Sequence, residues 1–141
     1  MNNIKISKRD LLAMAEEARK NSYSPYSGIS VGAALLAKSG RVYLGTNVEN
    51  VAYSPSLCAE RCAFGTAVTS GERGFSAIAV VGGKRGEPRE KLFSPCGVCR
   101  QVMGEMCDGD FEIILSEDNS FTLSELLPIG FDYGKTKNED V

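Results

Sequence analysis

Apolar residues recur along this chain with two different periods. Leu11, Leu12, Ala15 and Ala18 share one face of a 3.6-residue repeat, behind Ser7 and with Asp10 three residues after it. That capping-box-like start and that spacing predict an amphipathic helix over 8–21. Residues 22–30 are rich in Ser, Pro, Tyr and Gly and read as a loop. Val31 to Ala37 is apolar and runs into Lys38-Ser39-Gly40; Arg41 to Thr46 returns with Val42 and Leu44 alternating against polar neighbours. The two runs predict a hairpin. Residues 47–57 look irregular. Cys58 to Thr69 reads as a helix closed by Ser70-Gly71. Phe75 to Val81 is an apolar run broken only by Ser76, the pattern of a strand buried on both faces. Gly82 to Ser94 reads as a charged, solvated loop. A helix is expected over 97–107, with Val102, Met103 and Met106 on one face, then a strand over 111–115 and a short helix over 123–127 before Pro128. The order αββαβαβα implies an α/β fold, a sheet with helices on both faces. No internal repeat divides the chain. One domain is expected over 1–134, followed by a charged, frayed tail over 135–141.

Composition then narrows the chemistry. The 141 residues carry 16 Lys and Arg against 18 Asp and Glu, a net charge of -2, with a pI near 5.2. That balance argues against binding polymeric nucleic acid or an anionic membrane. The polar start, Met1 to Asp10, has no signal-peptide pattern, and no apolar run approaches membrane-spanning length. Five Cys and no His change the picture most. Without His, hydrolases that need an imidazole base are excluded. Acid–base work falls to a carboxylate, Lys, Tyr or a metal-activated water. A tightly held transition metal would need thiolate ligands. An odd number of Cys at short spacings suits a cytosolic chain using thiols for metal better than a disulfide framework.

Chemistry concentrates in two places: Cys58-Ala59-Glu60-Arg61 and Pro95-Cys96-Gly97-Val98-Cys99. Each opens a predicted helix after a loop. Free N–H groups and the positive dipole end at a helix start stabilise a thiolate. Two such starts facing each other could hold three thiolates around one Zn²⁺ and leave the fourth tetrahedral position for water. Glu60 could then stand beside the metal and move a proton.

A Cys-x-Glu followed by Pro-Cys-x-x-Cys is the zinc-deaminase signature with Cys in the His position. With Tyr26-Ser27, Val31-Gly32-Ala33-Ala34, Asn47-Val48-Glu49-Asn50, Arg100-Gln101 and Leu126-Leu127-Pro128, the chain resembles the cytidine deaminase family over nearly its whole length, in its small all-cysteine branch. The resemblance implies a three-layer α/β/α fold with a mixed sheet. It implies one zinc per subunit on Cys58, Cys96 and Cys99, with Glu60 as proton shuttle. It implies ribose contacts from Asn47 and Glu49, base contacts from the backbone at Ala59 and Ser94, and Phe131 reaching a neighbour's site in a homotetramer. An Arg at position 61 would hydrogen-bond the ligand thiolates. Three thiolates and Zn²⁺ sum to one net negative charge, which Arg61 and the helix starts would draw off. The expected reaction is hydrolytic deamination of cytidine and deoxycytidine in pyrimidine salvage. Family members carry Phe where this chain has Ile29, the residue packed on the base. That leaves a related cytosine nucleoside such as blasticidin S open as substrate. The Gly82 to Ser94 loop is longer and more charged than the family's and leads into the zinc motif.

Other readings of the same residues remain to be separated. Cys58, Cys62, Cys96 and Cys99 could form a closed structural Cys₄ zinc site in a binding module, although that leaves Glu60 and the Asn47–Glu49 pair without a role. Cys62 and Cys107 read as small buried hydrophobes. Asn47 and Glu49 could be ordinary turn residues, and Phe131 plain core. Arg100 reads as a solvated helix charge, and Tyr23, Tyr26 and Tyr53 as packing or interface residues.

Overall fold

A computed structural model describes residues 5–132. The elements run α1 (Lys8–Arg19), β1 (Ile29–Ala37), β2 (Val42–Thr46), α2 (Ala59–Thr69), β3 (Phe75–Lys84), α3 (Gly97–Met106), β4 (Glu112–Ile114), β5 (Ser120–Thr122) and α4 (Leu123–Leu126). One sheet has the order β2-β1-β3-β4-β5. All neighbours are antiparallel except β3 and β4, which are parallel. The expected tail, 135–141, lies outside the described residues.

The expected order holds, with one strand added. β5 is three residues long and pairs with β4, too short for any alternation to announce it. β1 begins two residues before the expected start, because Ile29 and Ser30 pair with Lys84 and Gly83. The same pairing corrects the start of the Gly82 to Ser94 loop: its first three residues complete β3. The rest of that loop is not merely solvated. Arg85 N–H donates to Gly28 C=O at 2.8 Å, and Glu90 N–H to Gly82 C=O at 2.8 Å. Buried Arg19 of α1 donates to the carbonyls of Lys84 and Glu87, each at 3.0 Å.

The sheet is covered on both faces, as the continuous apolar runs require. On one face Leu11, Leu12 and Ala15 of α1 pack on Ala34, Ala77, Ala79 and Val81. On the other, Ala59, Ala63 and Phe64 of α2, with Cys99 and Met103 of α3, pack on Ala33, Leu35, Ile78, Val80 and Ile113. Two glycines let the helices come close. A Cβ on Gly32 would lie 1.9 Å from Ala15 C=O, and one on Gly45 would lie 2.2 Å from Ala59 C=O. Gly45 therefore sets how near the start of α2 sits to the sheet. That start carries Cys58.

Candidate active site

Helices α2 and α3 begin next to each other. Cys58 is the N-cap of α2 and Cys96 the N-cap of α3; both have extended backbone and neither makes a side-chain cap bond. Cys99 follows in the first turn of α3 and is fully buried. The three sulfurs lie within 4.8 Å of one another. Cys58 Sγ and Cys96 Sγ are 3.8 Å apart. A tetrahedral zinc with Zn–S of about 2.3 Å spaces its sulfurs by about 3.8 Å, so the donor set fits that ion in type and spacing. Among the described residues no fourth Cys, His, Asp or Glu joins the group. Cys62 points elsewhere: its Cβ stands 3.1 Å from where a Cβ on Gly45 would be. The closed Cys₄ arrangement therefore does not form.

Charge in this cluster is unevenly held. Hydrogen bonding from Cys99 pulls the Cys58 thiol down to about 5 against the push of burial, and Arg61 and Cys96 add to the stabilisation of its thiolate. The same contact with Cys58, together with burial, pushes the Cys99 thiol up. Arg61 reaches the cluster from the third position of α2. Its Nη2 donates to Cys58 Sγ at 3.4 Å and to Ser56 C=O at 3.4 Å. Its Nε is buried with no hydrogen-bond partner among the described residues. A cation with an orphaned donor beside sulfur is what an anionic thiolate set would satisfy.

Glu60 is 4% exposed. Burial raises its carboxyl to about 7, and the Cys58 thiolate pushes in the same direction. It and the sulfurs of Cys58 and Cys96 open on one cleft of about 490 Å³, a size suited to a small polar molecule. Ile29, Asn47, Glu49, Ala59, Glu60 and Ser94 all line this cleft with Cys58, Cys96 and Arg61. The site residues expected from sequence are thus brought together, with two exceptions. Cys99 lies beneath the floor as a ligand would. Phe131 is not in its own chain's cleft: it is 66% exposed and is pinned by Gln101, whose amide bonds both its N–H and its C=O.

The polar end of the cleft is built more tightly than turn residues require. Glu49 accepts from the backbone N–H groups of Tyr26 and Ser27, both at 3.0 Å, and from Ser27 Oγ. Although burial opposes it, these bonds keep its carboxyl below the usual range. Asn47 is buried, and its Oδ1 accepts from Val31 N–H at 2.9 Å and from Ser22 Oγ. Its Nδ2 donates to Ile29 C=O at 2.8 Å, which leaves one amide N–H for a ligand. Arg100 is no solvated charge. It donates to Pro95 C=O at 2.9 Å and to Leu126 C=O at 2.8 Å, tying the Cys96 turn to α4. Sequence reasoning missed Phe93 as a wall of the cleft; the apolar pair Leu92-Phe93 closing a charged run was the available signal.

The family pattern described as the cytidine and deoxycytidylate deaminase zinc-binding region matches residues 5–114. The chain is 46% identical to a cytidine deaminase of Sporosarcina psychrophila over 125 residues, covering 86% of this chain and 88% of that one. It is 45% identical to one from Halalkalibacterium halodurans, covering 86% and 91%. Among solved structures it is similar to the cytidine deaminase of Burkholderia pseudomallei, with a TM-score of 0.79 and 40% identity over 89% of this chain and 99% of that one. The Mycobacterium tuberculosis cytidine deaminase gives a TM-score of 0.77 at 38% identity, covering 88% and 96%. With a thiolate triad fitted to zinc and a buried carboxylate beside it, the chain belongs to the cytidine and deoxycytidylate deaminase zinc-binding family.

Proposed function

We propose that the chain catalyses hydrolytic deamination of cytidine and deoxycytidine to uridine and deoxyuridine, with release of ammonia, as a cytoplasmic enzyme of pyrimidine salvage. The observation that carries this is three convergent sulfurs, two of them lining one cleft with a buried carboxylate and the polar pair Asn47 and Glu49. Cys58, Cys96 and Cys99 would hold Zn²⁺, which when bound would supply Lewis-acid activation of the attacking water. Glu60 takes one proton from the attacking water and delivers it to N3 of the base, then takes the second from the new C4 hydroxyl and gives it to the leaving amine. Oxygen is gained at C4 as the C4–N bond breaks, so one water is consumed for each ammonia released. Arg61 draws charge from the thiolates and restores acidity that three sulfurs would blunt. Glu49 and the remaining N–H of Asn47 hold the sugar hydroxyls. Backbone groups at Ala59 and Ser94 meet the base, and Ile29 packs on it. The chain works as a homotetramer in which Phe131 completes a neighbour's cleft; its exposure and its anchoring by Gln101 support that reading.

The test is direct. Zinc-loaded protein is mixed with cytidine, deoxycytidine, cytosine and blasticidin S, and the ultraviolet change on deamination is followed. Turnover of the two nucleosides is expected; turnover of none of the four would sink the enzyme reading. Preference for blasticidin S would move the substrate to that related nucleoside. Glu60→Gln should retain zinc and lose on the order of 10²–10⁴-fold in kcat.

A further inference from the structure

The cleft is lined by two polar groups and an apolar set. Ser27 and Glu49 form one polar group; Cys58, Glu60 and Cys96 form the other. A nucleoside whose amino group meets Glu60 while its sugar reaches Glu49 must lay its base between them. The apolar lining that could receive it is Ile29, Val31 and Phe93. Of the two aromatic residues that line the cleft, Tyr53 is 74% exposed at the rim, whereas Phe93 is partly buried and packed with Ile29 against the main core.

Phe93 also has a built seat. A Cβ on Gly82 of β3 would lie 2.6–2.8 Å from ring atoms Cδ1, Cε1 and Cγ of Phe93. The ring therefore occupies the space that any other residue at position 82 would fill. Gly82 pairs with Val31 across β1 and β3. Its carbonyl accepts from Glu90 N–H, which fastens the loop three residues before the ring. Three residues after the ring comes Cys96, and Arg100 holds the carbonyl of Pro95 between them. The ring is thus fixed from below and from both sides along the chain.

We propose that Phe93, seated on Gly82, is a specificity-determining residue: its ring is the apolar surface on which the pyrimidine lies. The proposal rests on the deaminase reading, and it assigns base affinity to a residue of the loop after β3. Aromatic stacking on a base is commonly worth about tenfold or more in affinity.

Steady-state kinetics on the zinc-loaded protein test it. Phe93→Leu should raise KM for cytidine about tenfold, hold kcat within about threefold and keep full zinc content. Phe93→Tyr keeps a ring and should bind several-fold tighter than Phe93→Leu. Gly82→Ala should raise KM by displacing the ring. It should add nothing further in the Phe93→Leu background, because two residues acting through one contact are not additive. An unchanged KM in Phe93→Leu overturns the proposal. So does loss of zinc or kcat at constant KM, which would make the ring only a prop for Cys96. Independent, multiplying effects of Gly82→Ala and Phe93→Leu would also overturn it. Wild-type protein inactive on all four substrates would remove the deaminase reading and this inference together; active wild type with insensitive Phe93 variants removes the inference alone.

Discussion

Helices α1 and α4 start in one way, and α2 and α3 in another. Ser7 Oγ accepts from Asp10 N–H at 3.1 Å to begin α1. Thr122 and Glu125 exchange side-chain bonds in a full capping box to begin α4. At α2 and α3 the cap position is Cys, and no side chain closes the first turn. A thiol is a poor acceptor, so as caps these residues are inferior to Ser or Thr. The fold accepts a weaker start at the two helices that meet at the site. What it keeps there is a positive helix end facing sulfur. Departures from the local rule thus locate the chemistry, and the conventional caps locate the scaffold.

The comparison breaks most readily at Cys96. Cys96→Ser installs a better helix cap but removes a metal ligand, so activity and zinc content should both collapse, activity by on the order of 1,000-fold or more. Metal analysis beside an activity assay checks this; a serine variant that holds zinc and turns over would mean that the cap position is only a cap. Arg61→Ala tests the next layer. Its guanidinium touches Cys58 Sγ rather than the metal, and a loss of about 10–100-fold in activity or zinc affinity is expected. Full turnover with tight zinc would remove the charge-balancing role. The smallest effect belongs to the scaffold. Ser7→Ala should cost about 1 kcal/mol in denaturant unfolding and leave kcat/KM unaltered. A change in catalysis there would erase the distinction between the two kinds of helix start.

The same distinction explains what was legible in advance. Cys-Ala-Glu and Pro-Cys-x-x-Cys are local, and each sits where a helix begins, so residue type and spacing suffice to find them. The long helices and β3 are announced by periodicity. What stays hidden depends on distant partners. β5 exists because Ser120 to Thr122 finds β4. Gly82-Gly83 has a turn's composition, yet it is strand because β1 lies alongside and Phe93 covers Gly82. Arg100 reads in sequence as a solvated helix charge, Asn47 as a ribose contact or a turn residue, and nothing there marks Arg19. Each becomes a tie only when backbone carbonyls from other segments arrive within reach.

The spacing of the sulfurs along the chain has a consequence of its own. Cys58 and Cys96 are 38 positions apart, while Cys96 and Cys99 share one turn. An ion gripped by all three is therefore a cross-link, closing a long loop that contains α2 and β3. By chain-entropy arithmetic a closure of that length is worth about 4 kcal/mol against the unfolded state, comparable to a disulfide. A chain with five cysteines and no disulfide among the described residues would then own a staple after all, one that a chelator can remove and a metal supply can restore.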